Sequence, residues 1–300
     1  MSTSALAYEA RRGVVVSRLR DYAALARPRI AIFELVTVAV AACLASHGPP
    51  ATSVLAGTLL GTLLVAASAS ALNQWLEAQA DARMPRTASR PLPAGRVGRR
   101  EVLLVGGLAV GGGVACLWIT ANLTAALVAL ASWLLYVAVY TPLKRITPLN
   151  TIVGAVAGAL PVWIGWTAAG GRLGLEAWAL LLIVYLWQFP HFMAIAWIYR
   201  REYAAAGMRM WPTVDPTGHR AGRQAVVSAA ALVAVACLPG WWQMATPLYF
   251  GLALLLAGAY LAAAVAFARQ RSDAAARRLL RWSLVYLPGQ LALLVVAPLV

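Results

Sequence analysis

The sequence predicts an all-α polytopic membrane protein with nine transmembrane helices. Three observations carry that expectation. Of its 300 residues, 62% are hydrophobic and only 12% charged, where a soluble domain carries about 25% charged residues. The apolar residues fall into runs close to the roughly 20 residues a helix needs to cross a bilayer. The basic residues gather in alternate connections between those runs, an asymmetry that marks one side of a membrane. Inside lipid, every backbone polar group must be bonded within its own element, so the runs are helices.

The first 28 residues form an N-terminal arm, and 29–300 form one membrane domain. The first thirty residues hold Arg11, Arg12, Arg18, Arg20, Arg27 and Arg29 but no isolated apolar core with a cleavage site, so no cleavable signal peptide is expected. The first span covers 29–47 and carries an acid, Glu34, which needs a partner at that depth. It belongs either to a site or to a helix anchor, with Arg29 and the loop arginines nearest to it. The second span, 51–77, runs into a long loop, 78–100, with six arginines. Spans three and four, 102–120 and 123–141, lead to a short loop holding Lys144 and Arg145. Spans five and six, 149–168 and 176–198, precede a second long loop, 199–223. Spans seven, eight and nine are read at 224–245, 247–268 and 279–298, with arginines between the last two. Pro161, Gly165 and Pro190 fall inside spans and point to tight packing or kinks.

The loops on the opposite side contain only Arg172. The positive-inside rule therefore places the N-terminus in the cytoplasm and the C-terminus across the membrane. A multi-pass protein of a bacterial inner (plasma) membrane is expected. The net charge of +15 does not indicate nucleic-acid binding, because it sits in short loops between apolar runs. Cys43, Cys116 and Cys237 lie within apolar runs without metal-ligand spacing and read as small packing residues.

The chemistry gathers at span ends. Asn73, Glu77 and Asp81 stand at i, i+4 and i+8 in NQWLEAQADARMPRTASRPL, a spacing that keeps three oxygen donors near one helix face. Such a column suits a divalent cation, Mg²⁺, whose shell is completed by substrate phosphates. Arg83, Arg86 and Arg90 follow at once and suit bidentate contacts to diphosphate. In LWQFPHF, Gln188 and His191 lie in an apolar run, and Glu202 follows in the loop. His191 is either a packing residue or a ligand, and Glu202 either a ligand or a solvated partner of Arg201. In YTPLKR, Tyr140 and Lys144 are four apart, with Pro142 ending the helix between them. Lys144, the only lysine, reads either as a plain inside-loop charge or as a cation aimed at a phosphate.

These residues resemble the UbiA superfamily of intramembrane aromatic prenyltransferases. The likeness runs from ARPRI (Ala26–Ile30) through N-x-x-x-E-x-x-x-D-x-x-M-x-R-T with RPLPAG, YTPLKR with Asn150 and Gly154, and WQFPHF with EYAAAG. WQFPHF, M-x-R-T and RPL resemble the heme-farnesylating branch, and the second paired-aspartate motif of quinone-type members is missing. Glu77 stands where aspartate is also common, Arg201 stands where an acid is expected, and Arg209 and Trp211 alter the tail after EYAAAG.

The resemblance implies a nine-helix bundle around a central cavity, with farnesyl diphosphate and heme b as substrates and heme O as product. It implies metal held by Asn73, Glu77 and Asp81, diphosphate contacts from Arg83, Arg86, Arg90, Tyr140 and Lys144, and a heme or second site at Gln188, His191 and Glu202. Asn73, Glu77, Asp81, Lys144 and His191 are the expected catalytic residues. Whether the product passes to a heme A synthase or a terminal oxidase assembly stays open. Two rivals remain: a UbiA-type enzyme acting on a quinone precursor or chlorophyll-like ring, and an ion-coupled transporter using Glu34, Glu77 and Asp81.

Overall fold

A computed structural model describes residues 17–242 and 247–296. Arg11, Arg12 and most of the arm, and the far ends expected for spans seven and nine, lie outside the described residues. Among the described residues there are only helices and their connections, and nine helices are long and apolar enough to cross a membrane. They are α1 (Pro28–Ala45), α2 (Thr52–Asp81), α3 (Arg99–Thr120), α4 (Leu123–Leu143), α5 (Asn150–Ala168), α6 (Leu175–Ile198), α7 (His219–Trp241), α8 (Pro247–Gln270) and α9 (Asp273–Val296).

Three helices exceed their expected spans by four residues or more. α2 continues four residues past 77 to Asp81, so the whole Asn–Glu–Asp column is helical. α7 and α9 begin at His219 and Asp273, well before 224 and 279. Hydropathy locates the part of a helix that lipid covers, whereas the helix itself continues into polar residues that still find partners. At the start of α9, Asp273 accepts a hydrogen bond from Arg200 at 2.7 Å and one from the indole of Trp197 at 3.1 Å.

α5 and α6 are the innermost helices, with 72% and 67% of their apolar windows buried, against 22–39% for the others. α1 packs on α5, α2 on α3, and α6 is flanked by α7 and α9. Close approach depends on missing side chains. A Cβ on Gly61 would lie 2.9 Å from the Gly113 carbonyl, and one on Gly165 only 2.0 Å from the Val38 carbonyl. These are the small-residue contacts that substitute for hydrophobic driving force between helices in lipid. Pro190 and Pro288 lie inside continuous helices, while Pro161 opens a new helical segment after Leu160.

Two irregularities position the site. α4 contains a π-helical stretch, Leu135–Tyr140, followed by a last turn, Thr141–Leu143. Such wide turns re-aim the residues beyond them. Residues 17–26 form a short helix lashed to the start of α3. There Arg18 pairs with Glu101 at 2.7 Å, Tyr22 donates to the same carboxylate, and Arg96 pairs with Asp21 at 2.9 Å. Gln74 of α2 donates to the Leu25 carbonyl at 2.9 Å and ties this helix to the bundle. Arg27 forms the joint between it and α1.

Gly165→Ala is expected to lower the thermal unfolding temperature in detergent, because the added methyl meets backbone rather than a movable side chain; the cost is about 1–3 kcal/mol. Gly111→Ala, with open space around its Cβ, serves as the control and leaves the transition unchanged or slightly raised.

Candidate active site

The oxygen column of α2 is buried. Asn73 is 0%, Glu77 6% and Asp81 1% exposed. Charge this deep is costly unless paired, and each member is met by a cation from a different segment. Arg27 donates to Asn73 Oδ1 at 3.2 Å. The Lys144 ammonium lies 2.9 Å from Glu77 Oε1. Arg90 donates to Asp81 Oδ2 at 2.6 Å. Asp81 Oδ1 is left buried with no hydrogen-bond partner. A carboxylate oxygen in that state is an open coordination position, and two carboxylates with an amide oxygen are the hard donors Mg²⁺ takes. The residues present therefore fit the metal.

Local structure explains why the cations arrive. Arg27 has φ 48° and ψ 65°, a left-handed conformation that costs a non-glycine residue about 1–2 kcal/mol. The strain turns the chain from the 17–26 helix into α1 and directs the guanidinium at α2. Thr141, in the last turn of α4, accepts from Asn73 Nδ2 at 3.0 Å and donates to the Tyr136 carbonyl at 2.8 Å. Lys144 follows that turn and lies 4.4 Å from the Tyr140 ring centre. The ring needs Gly154 opposite it, since a Cβ there would stand 2.7 Å from Cε2. The loop after α6 closes over the same turn. Arg209 N donates to the Lys144 carbonyl at 2.6 Å, and Asn150 Nδ2 donates to the Arg209 carbonyl at 3.1 Å.

The two long loops also meet each other. Met84 and Ala80 pack on Ala206 and Met208. Arg86 lies 4.1 Å from the Tyr199 ring centre, and its Nη2 donates to the Tyr203 hydroxyl at 3.4 Å. Glu202 adjoins this group, with Oε2 buried and unpartnered.

Electrostatics show a site biased toward anions. Burial is the largest single influence on the Lys144 ammonium and lowers it, but Glu77 beside it, joined by Tyr140 and Tyr136, together outweigh burial and hold its pKa above the ordinary lysine value. Burial, reinforced by the charge of Arg27, draws Arg90 below the ordinary arginine value while Asp81 opposes. Crowded guanidinium and ammonium groups around two carboxylates favour a polyanion arriving with a divalent cation.

The structure thus gathers Asn73, Glu77, Asp81, Arg90, Tyr140 and Lys144 into one cluster and sets Arg86 and Glu202 on an adjoining wall. Arg83 is exposed, with no bonded partner among the described residues. Gln188 is tied up structurally: its amide donates to the Ala155 and Val184 carbonyls at 2.9 and 3.3 Å, joining α6 to α5. His191 hydrogen-bonds Ser283 of α9 at 2.7 Å. Glu34 has no ion pair among the described residues, so the expected partner Arg29 does not reach it, and no Arg201–Glu202 pair forms. Arg27, Thr141, Asn150 and the tyrosines 199 and 203 also meet this cluster or its adjoining wall; the sequence placed Arg27, Thr141, Asn150 and Tyr203 in the motifs of the resemblance without giving them a role. Arg27 was legible as part of ARPRI, but nothing local showed that its guanidinium reaches Asn73.

Comparison with known proteins then fixes the family. The model of the UbiA prenyltransferase family matches residues 35–285. The chain belongs to the UbiA prenyltransferase family. As a UbiA member it is a prenyltransferase of the membrane. It is 42% identical over 276 residues to the protoheme IX farnesyltransferase of Rhodopirellula baltica, covering 89% of this chain and 96% of that one. Its fold matches a solved digeranylgeranylglyceryl phosphate synthase with a TM-score of 0.79 at 15% identity, over 94% of this chain and 99% of that one. It also matches an Archaeoglobus fulgidus UbiA homologue solved with GPP and Mg²⁺, with a TM-score of 0.66 at 17% identity, over 91% and 99%. The nine-helix UbiA bundle expected from the sequence is therefore the observed fold.

Lys144→Ala strips a buried carboxylate of its cation, so it is expected to destabilise the metal-free protein by about 3 kcal/mol in thermal or denaturant unfolding. Adding Glu77→Gln to Lys144→Ala recovers most of that loss, because the stranded charge is gone.

Proposed function

We propose that the chain transfers the farnesyl group of farnesyl diphosphate to a vinyl group of heme b and so makes heme O. The observation that carries this reading is the α2 column, whose three donors are each matched by a cation and whose Asp81 Oδ1 awaits a ligand. The heme substrate is supported by the relatives named protoheme IX farnesyltransferase. Mg²⁺ with an isoprenyl diphosphate is supported by the Archaeoglobus structure.

Asn73, Glu77 and Asp81 would hold Mg²⁺, which when bound neutralises charge building on the departing pyrophosphate. Arg27, Lys144 and Arg90 exchange their α2 partners for phosphate oxygens, and Arg86 closes the second wall. That electrostatic grip is stronger in the leaving state than in the bound ester, and so accelerates the step. The allylic C–O bond breaks and its electron pair leaves with pyrophosphate. The vinyl carbon of heme attacks C1 of the farnesyl cation and forms the C–C bond. The carbocation left beside the porphyrin takes the oxygen of water, and one proton is released. Tyr136 and Tyr140, with ring centres 5.3 Å apart, present aromatic faces beside the cluster, which stabilise an allyl cation and keep water away.

The membrane setting follows from the same chemistry. The column lies at the end of α2 where the arginine-rich loops gather, which we assign to the cytoplasmic face of a bacterial inner membrane, with the N-terminus on that side. Residues 29–300 form the catalytic membrane domain, and the arm through residue 28 anchors Arg27. A heme A synthase or terminal oxidase assembly is the class of consumer that heme O implies.

In a strain lacking heme O, expression of the chain is expected to produce a farnesylated heme pigment detectable by chromatography and mass. Asp81→Ala should abolish it at normal membrane levels of protein, and EDTA should stop turnover in isolated membranes until Mg²⁺ is returned. Arg27→Ala is expected to weaken farnesyl diphosphate affinity by roughly tenfold, the loss of one charge-assisted contact. Normal pigment from Asp81→Ala would remove the column from the reaction.

A further inference from the structure

His191 lies seven residues before the end of α6, about 10 Å of helix rise, and Asn73 lies eight before the end of α2, about 12 Å. Both helices end on the same face, so the imidazole lies near the depth of Asn73, the inner end of the oxygen column. The ring is held on two sides. The Trp187 indole stacks on it with centres 4.9 Å apart and planes at 26°. Ser283 Oγ, from the fully buried Ser283 of α9, lies 2.7 Å from Nδ1.

The bond that the hydroxyl makes elsewhere favours one tautomer. Ser283 Oγ donates its single proton to the Leu280 carbonyl at 2.6 Å. Toward His191 it can only accept, so Nδ1 carries the ring proton. Nε2 is then an unprotonated lone pair, and among the described residues no side chain or backbone group hydrogen-bonds it. Trp187 is itself fixed, donating from its indole to the Ser283 carbonyl at 2.7 Å and stacking on Phe33 of α1 at 5.8 Å. The imidazole therefore has a chosen tautomer and a chosen plane. An apolar packing histidine needs neither, whereas a metal-binding one has its other nitrogen bonded by an orienting group.

We infer that His191 Nε2 is an axial ligand to the iron of the heme substrate, with Ser283 as the positioning residue that sets its tautomer. The inference rests on heme as the acceptor substrate. Iron ligation fixes the porphyrin by its centre, near the depth of Asn73, with a peripheral vinyl group directed toward the allyl carbon. It also explains how a prenyltransferase active site grips a large flat ring without a second carboxylate motif. A neutral imidazole donates electron density to the metal and ring, which favours the vinyl carbon as nucleophile.

The test titrates the purified full chain in detergent with hemin, followed by Soret absorbance and electron paramagnetic resonance, with farnesyl diphosphate binding measured in parallel. Wild type is expected to show a histidine-ligated iron spectrum. His191→Ala should keep farnesyl diphosphate affinity and lose that spectrum, and free imidazole should restore it. His191→Met should shift the spectrum to that of a thioether ligand. Ser283→Ala should keep nitrogen ligation but weaken hemin binding by roughly tenfold, as loss of an orienting group does. An unchanged histidine-ligated spectrum in His191→Ala or His191→Met overturns the inference. If wild type makes heme O and its hemin spectrum is indifferent to His191, the ligand assignment alone fails. If hemin is neither bound nor farnesylated, the substrate reading fails with it.

Discussion

The structure turns on the pairing of cations with a buried column of oxygen. Asn73, Glu77 and Asp81 sit inside the bundle, where two carboxylates are tolerable only because Lys144 and Arg90 meet them at 2.9 and 2.6 Å. The cations come from the α4–α5 turn and the first long loop, and Arg27 joins them from the start of α1. Each segment is folded to deliver its charge: the left-handed backbone at Arg27, the π-helical stretch before Thr141, the short helical turn Pro85–Ala88 that brings Arg90 back beneath α2. Each carboxylate of the site is paired with a cation, and Asp81 Oδ1 is left open. On the proposed reading, a diphosphate bringing a divalent cation offers both charge types new partners at once, so binding replaces ion pairs rather than exposing bare charge.

The same arrangement accounts for where the site lies. The polar cluster sits at one end of α2, α4 and α6, beside the arginine-rich loops, which on the proposed reading is where a diphosphate arrives from water. Small residues let the helices approach: Gly165 admits the α1 backbone, and Gly154 admits the Tyr140 ring beside Lys144. Packing and chemistry are therefore joined at Gly154, and the loop after α6 locks that turn through Arg209 and Asn150.

Much of this was legible in the sequence. The nine spans were readable because lipid demands long apolar runs, and the column because 3.6 residues per turn brings positions 73, 77 and 81 together. Lys144 was readable as a lone lysine after a helix-ending proline. What escaped depends on tertiary contact. Nothing local shows that Arg27 crosses to α2, or that Asn150 reaches across to Arg209. Gln188 attracts notice as a polar residue in an apolar run, yet its amide joins two helices. Arg83 shares the arginine-rich segment with Arg86 and Arg90 but faces outward. The early starts of α7 and α9 were hidden because hydropathy reports lipid contact and not helix geometry.

The central claim is that the column and its cations part company to hold a metal diphosphate. The direct measurement is an experimental structure of the chain with Mg²⁺ and a non-hydrolysable farnesyl thiodiphosphate. The account predicts metal on Asn73, Glu77 and Asp81, with Arg27, Lys144 and Arg90 moved onto phosphate oxygens. A diphosphate bound elsewhere, with the Lys144–Glu77 and Arg90–Asp81 pairs intact, would contradict it.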